Sequence, residues 1–533
     1  MTGLIINVPD GEAQPRTSFG EQALALAKSE WSLWHTQENG PSLGYATYQR
    51  AGHQESVALR STAGRHALTS LIYKSLDRVP SRKELDDTLN SLEASAIFDG
   101  PYYRVHTRIA DLGDKVYLDL ANDAWQVVEI SANGWKIINA EDAPIRFRRP
   151  NGTHALPSPL PGGDLFEIGK FINTDRIGLI LSIAWLLDTL TDRGPHPILA
   201  YVGGHGTAKS TATSVLQRIV DPRASERRAP PRSNRDLAIA ATNSWITGFD
   251  NISKLSPELA DDLCRLSTGS AFTTRSLYSD GEEVIFTARR PVILNSIVDL
   301  TERPDLSDRT ISIQLIPIDK HRRMVESQFW PLFEAARPGI LGALLTALAT
   351  ALKTWSSIEP MALPRMADFY KLIQAAGPSL PWSIEEFESA WLDMRDNTIK
   401  DVIQGSALMV VLLPFLETVG AWRASASELL YQVNARHSFD SLPDEWPKTP
   451  QGLIGALRRL APMFEHLGWD LKFGRRDNTV MRGRWVEISK KATIDPLGPK
   501  PAFIIDTPST NLETPPLFIP VCKPQLSGQS VRD

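Results

Sequence analysis

The sequence predicts an α/β protein: a P-loop core flanked by an N-terminal α+β module and a C-terminal winged-helix-like module. Three observations predict it. The runs "PILAYVG", "SWITGF" and "PVILN" are short, apolar and separated by helical or loop segments, the pattern of strands buried on both faces of a largely parallel sheet. The first leads directly into "GGHGTAKST" and a helical stretch. The hydrophobic period also changes twice outside this region, from helical to strand-like near residue 102 and from helical to a basic hairpin pattern near residue 470.

The bulk numbers set the frame. A chain of 533 residues is too long for one core, so about three domains are expected. With 42% hydrophobic and 22% charged residues it is of ordinary globular composition, and a net charge of −5 means that any nucleic-acid contact rests on local basic surfaces. Only Cys264 and Cys522 are present, which excludes a disulfide framework and an all-cysteine zinc module. The start "MTGLIINVPDGE" lacks a secretory pattern, and the window "IGLILSIAWLL" is about half the length of a bilayer span. A cytoplasmic protein with no membrane association is expected.

Residues 1–163 form the N-terminal module. It is helical to about residue 98, through "EQALALAKSEWSLWH", "RHALTSLIYKSL" and "SRKELDDTLNSLEASAIF", the last opened by Ser81 and Glu84 in capping-box spacing. Strand-like runs from Tyr102 to Arg149 follow, and "RRPNGTHALPSPLPGG" is a linker. Residues 164–382 form the core with a helical lid after Pro317. Residues 383–491 form the third module, "ASELLYQVN", "TPQGLIGALRRLAPMFEHLGW" and the hairpin "LKFGRRDNTVMRGRWVEI" giving the helix, helix and basic wing of a winged helix. Residues 492–533 hold eight prolines without periodicity and are expected to be disordered.

The candidate site begins at the glycine run. A triphosphate needs converging backbone N–H groups, a lysine at its outer phosphates and a hydroxyl on magnesium, all at a helix N-terminus. Gly203, Gly204, His205, Gly206, Thr207 and Ala208 supply the loop, Lys209 the cation, Ser210 the magnesium hydroxyl and Thr211 the next helical position. ATP and Mg2+ are the implied cofactors. Ala208 stands where glycine is usual, at a position whose backbone is often helical, so a methyl is acceptable there if nothing packs against it. The competing reading is a bare glycine-rich turn. Downstream, Asp250 ends the strand "SWITGFD" and can hold the magnesium shell together with Ser210, while Asn251 occupies the place of a water-polarising carboxylate. An amide orients a water but cannot take its proton, so hydrolysis needs another base or runs slowly. Asn295, ending "PVILN", can bond the attacking water and the γ-phosphate. Arg309 can reach a neighbouring subunit's nucleotide, with an ion pair to Asp305 or Asp308 as the plainer alternative and Arg303 as a rival.

The ordered set "GGHGTAKST", "FDN", "FTTRSLYSDGEEVIF", "PVILN" and "DLSDR" resembles the superfamily 3 and poxvirus-type primase-helicase ATPases of phages, plasmids and integrated elements, within the AAA+ class. The resemblance covers about residues 165–400. It implies an AAA+-like core, a homo-hexameric ring moving along DNA as ATP turns over, and a β-hairpin touching single-stranded DNA in the pore. Asp280-Gly281 is the expected hairpin turn. Its tip, "SDGEE", is acidic, so DNA contact falls to Arg275, Arg289 or Arg290. Further DNA contacts are expected from Arg475, Arg476 and Arg482 in the wing, and from the arginine-rich stretch "RIVDPRASERRAPPRSNRD". The expectation is an ATP-dependent replicative DNA helicase of a mobile element. The alternative is a nucleotide-gated DNA-binding switch without helicase activity. Primase chemistry would need clustered acids, and "VYLDLAND" offers only Asp119 and Asp123.

Overall fold

The structure, a computed structural model, describes residues 18–37, 42–253, 255–275, 283–296, 304–318, 321, 323–359, 365–437, 443, 446–477 and 481–491. The 492–533 tail, the Asp280-Gly281 turn and Arg303 lie outside them.

The N-terminal module opens on the helix Phe19–Glu30, whose cap Ser18 and Glu21 bond each other's backbone reciprocally. Residues expected to stay helical then leave the helix. Ser32–Thr36, Leu43–Arg50 and His53–Ala58 form a three-stranded antiparallel meander. Its second turn is a two-residue reversal in which Ala51 and Gly52 both have positive φ, at 48° and 85°, a geometry matched to the twist of a hairpin. The helices Thr62–Leu76 and Arg82–Phe98 follow, and the Ser81–Glu84 capping box forms as its spacing indicates. An antiparallel sheet comes next, with Ile109–Asp111, Lys115–Asp119, Gln126–Ser131 and Gly134–Asn139 in sequential order.

The proline- and glycine-rich stretch after Arg149 lacks helix and strand but is not a loose tether. Leu160 N–H bonds the Pro338 carbonyl at 2.9 Å. A Cβ on Gly163 would clash with Gly339, and one on Gly342 would clash with Leu160, so backbone packs directly on backbone. One hydrophobic cluster consequently runs from Ile109 and Val116 in the N-terminal sheet, through Trp185 and Phe333, to Trp391 and Met394. A second, separate cluster runs from Leu408 to Ile488.

The central sheet is parallel and ordered Thr247–Ile252, Val292–Ser296, Ile198–Val202, Thr310–Gln314. Near-continuous apolar sequence is what strands covered on both faces require, and Ile198–Val202 is buried throughout. A parallel bridge of Arg228 to Phe249 extends the sheet beyond Thr247–Ile252, with Arg228 N–H bonding the Gly248 carbonyl at 3.1 Å and Asp250 N–H the Arg228 carbonyl at 2.9 Å. The helix Glu326–Thr354 crosses behind the sheet and buries Phe333, Ile340, Leu341, Leu344, Leu345 and Leu348. The segment Glu326–Ser357 is long and apolar enough to cross a bilayer, yet 56% of its apolar window is buried within the fold. Its apolar residues serve the core.

The last module places the helices Ala407–Val419, Ala426–Asn434 and Pro450–His466 against a three-stranded antiparallel sheet. In that sheet Met481–Lys490 lies between Ala421–Ser425 and Trp469–Asp477.

Candidate functional site

Strand Ile198–Val202 points its C-terminal end at the loop 203–208, and the helix Lys209–Val220 leaves from the far side of that loop. The loop is tightly wound. A Cβ on Gly203 would press on Thr207 Oγ1 at 2.8 Å and on the Leu315 carbonyl at 3.0 Å, and Gly206 has φ 78°. Thr207 Oγ1 donates to the Gly204 carbonyl at 3.0 Å and ties the loop across itself. Gly204, His205 and Gly206 face outward, and nothing lies within 4 Å of a Cβ on Gly204.

Ala208 departs from expectation. Its backbone is left-handed, φ 62° and ψ 32°, not right-handed helical, so the methyl sits in a conformation that favours glycine. As N-cap, Ala208 contributes no side-chain bond to the first turn. The positive end of the helix therefore meets the loop without a built-in acceptor, a setting that suits an anion.

Three strands' ends converge opposite this helix. Lys209 Nζ donates to the carbonyls of Gly203 (2.7 Å) and Gly204 (2.9 Å), folding its charge over the loop. Ser210 Oγ donates to Asp250 Oδ1 at 3.1 Å, joining the hydroxyl and the carboxylate expected from the sequence to hold magnesium. Asn295 is buried and bridges: its Nδ2 donates to Asp250 Oδ1 at 2.9 Å, and its Oδ1 accepts from Thr213 Oγ1 at 2.7 Å. The carboxylate can only accept, which fixes the orientation of the amide. Asn251 follows Asp250 at a register shift in the strand and adopts φ 59° with an exposed side chain. Asparagine tolerates that left-handed geometry better than glutamate would, so the residue type has a backbone reason independent of catalysis.

Sequence reasoning missed three contributors. Thr213 lies one turn beyond Lys209 on the same helix, and the i, i+4 spacing is the signal that could have found it. Arg227, read as a DNA contact, places Nη1 3.5 Å from Asp250 Oδ2. Arg323, which no motif singles out, brings Nη2 to 3.9 Å from the position of a Cβ on Gly206.

The remaining sites lie elsewhere. Arg309 immediately precedes Thr310–Gln314, whose first residue pairs with Ile198, so it sits at the edge of the sheet away from the loop. Five residues of strand, about 16 Å, separate the two edges. Arg309 therefore cannot serve the glycine loop of its own chain. Asp308 is engaged by Arg365 at 3.1 Å and Arg395 at 3.4 Å. Arg289 pairs with Asp192 at 2.8 Å, while Arg290 Nε bonds the Ala241 carbonyl at 3.0 Å and its guanidinium stacks on Trp245. Both have internal partners and remain partly exposed. Phe272–Arg275 pairs antiparallel with Glu283–Phe286, which puts Arg275 opposite Glu283 at the last described rung. Arg475 pairs with Arg484 in the C-terminal hairpin, Arg476 lies beside it, and Arg482 lies on the return strand. The arginine-rich stretch is tied to the fold at its start, where Arg218 of the helix pairs with Glu226 and Arg223 is only 4% exposed, while Arg235 is exposed. Among the described residues no group of three or more His, Cys, Asp or Glu side chains could hold a metal. A divalent ion at Ser210 and Asp250 would therefore complete its shell with phosphate oxygens and water, as magnesium commonly does.

Parallel strands, a glycine loop at their mouth and a hydroxyl-carboxylate pair beside it belong to a mixed α/β protein. Residues 163–387 match the family of the actinomycete integrative conjugative element replication protein, and residues 408–505 match the RepA C-terminal domain of the same elements. Together these stretches take up well over half of the chain, which belongs to this replication-protein family. Among curated proteins none matches. Among solved structures, the A-form apo NrS-1 C-terminal region is similar at 12% identity and TM-score 0.40, over 87% of this chain and 97% of that one. A second apo structure of that region gives 11% and 0.38, over 88% and 98%. These likenesses are too loose to assign a fold.

Proposed function

We propose that this replication protein binds MgATP at the 203–211 loop and couples its hydrolysis to DNA unwinding, as an AAA+-type ring helicase of the superfamily 3 kind. The observation that carries the reading is the 3.1 Å contact of Ser210 Oγ with Asp250 Oδ1, at an uncapped helix N-terminus behind a glycine loop. Bound magnesium would neutralise phosphate charge there, held by Ser210 and Asp250. Lys209 would exchange its two carbonyl partners for the outer phosphates, while Asn295 and Thr213 hold Asp250 in place and can orient a water. Arg309, remote from its own loop, would act on the nucleotide of a neighbouring copy in a homo-hexamer. The element order from Ala407 to Lys490, helix, strand, two helices and a hairpin, supports a winged-helix reading, in which Arg475, Arg476 and Arg482 of the hairpin would contact DNA.

A second reading has its own support. Asn251 cannot accept a proton, which favours a nucleotide-gated DNA-binding switch. ATP turnover with and without single-stranded DNA separates the two: turnover stimulated by DNA supports the motor, and binding without turnover supports the switch. In either case Lys209→Ala should weaken nucleotide binding at least about tenfold, because hydrogen bonds to a charged group contribute about 1.5–3 kcal/mol each. Unchanged affinity in that variant would count against the site.

A further inference from the structure

A second cationic site lies beside the first, in a cavity of about 520 Å3 where the linker, the end of the Lys209–Val220 helix, the 222–227 segment and the long lid helix meet. Arg218, Arg223, Arg227 and Arg337 line it, one or more from each of three elements, with His154 from a fourth. The two lining carboxylates are already engaged: Glu226 holds Arg218 at 2.5 Å, and Glu334 holds Arg337 Nη1 at 2.8 Å with Arg218 Nη1 3.8 Å away. Arg223 is committed to Thr153 Oγ1 at 3.2 Å and the Asn151 carbonyl at 3.1 Å.

Arg337 stands apart. Its side chain is only 6% exposed, yet Nε and Nη2 have no hydrogen-bond partner. Burial pulls its pKa downward, Glu334 alone opposes this, and the nearby Arg108 and Arg218 charges add to the pull. A buried guanidinium with three of its five N–H donors unpaired is costly, and an interior position that keeps one calls for an acceptor. Glu334 answers with one bond and from an outer position, since its own side chain is 45% exposed. A group with several acceptor oxygens and more than one negative charge would satisfy Arg337 and Arg218 together, and the fork of a guanidinium fits phosphate oxygens best.

We infer that this cavity binds a phosphate group, taken from a nucleic-acid backbone or from a free phosphate compound, which displaces the Glu334 carboxylate from Arg337 and Arg218. The site is separate from the Lys209 loop, although Arg227 lines the cavity and also pairs with Asp250, so the two sites share a cation.

The test uses the full chain carrying Lys209→Ala, which silences the glycine loop and keeps the outcome independent of the nucleotide reading. Calorimetric titration is run with inorganic pyrophosphate and with a single-stranded oligonucleotide. Glu334→Gln, which removes the resident carboxylate, should tighten binding of at least one probe threefold or more, and Arg218→Gln should weaken it about tenfold. Arg337→Gln should abolish it, and if that variant does not fold, the other two decide. Binding of pyrophosphate points to a free phosphate compound; a response confined to the oligonucleotide points to the backbone. Affinity for both probes unchanged by Glu334→Gln and Arg218→Gln overturns the proposal.

Discussion

At the residue scale, the loop works against its own backbone preference. Ala208 keeps a left-handed conformation that costs a residue with a Cβ about 1–2 kcal/mol relative to glycine. Ala208→Gly should relieve that strain and lose part of the gain to the added freedom of the unfolded chain, about 0.5–1 kcal/mol. A net stabilisation of up to about 1 kcal/mol is expected in denaturant unfolding; destabilisation would mean that the methyl makes a compensating contact. The sequence placed the glycines, Lys209, Ser210 and Asp250 at one site because each residue type is tied to a chemical task, and the structure brings them together. It did not reveal the sign of φ at Ala208, nor that Asn251 sits at a register shift, because both follow from how the loop and strand close in three dimensions.

At the element scale, helices with explicit caps were legible and strands without turn signals were not. Ser81 and Glu84 announce their helix, whereas "WSLWH" continues the apolar spacing of the helix before it and only pairing with Leu43–Arg50 makes it a strand. Propensity lost to tertiary context there. The arginine-rich stretch shows the same limit, since composition cannot distinguish a solvated loop from one stitched along a sheet edge at Arg228. The linker packs directly on the Glu326–Thr354 helix. Gly342→Ala forces a Cβ against the Leu160 carbonyl and should destabilise the fold by about 1–3 kcal/mol, read as an earlier unfolding midpoint. An unchanged midpoint would show that the linker can yield.

At the scale of the whole molecule, the cluster from Ile109 to Met394 makes the N-terminal sheet and the parallel sheet share one interior. Polar links reinforce the junction, among them Arg108 with Asp221 at 3.1 Å and Arg193 with Asp111 at 3.0 Å. His106 belongs to this junction, and burial, with the charge of Arg104, pushes its pKa down from 6.5 to about 4. The folded state thus takes up a proton later than the unfolded chain as pH falls. Stability should be flat above about pH 6.5 and decline as pH falls from there to about 4, by roughly 3 kcal/mol from this group. His106→Leu should flatten that slope in unfolding measured across the window, and an unaltered slope would assign it to other groups.

In the proposed function a magnesium-bound polyphosphate is held between Lys209, Ser210 and Asp250. Titration calorimetry of the full chain with ATP, with and without magnesium, tests it most directly when run beside Asp250→Asn. Binding should be saturable and tighten with magnesium in the natural chain, and lose that dependence in the variant. Absence of heat from folded protein, or magnesium dependence that survives Asp250→Asn unchanged, would contradict it.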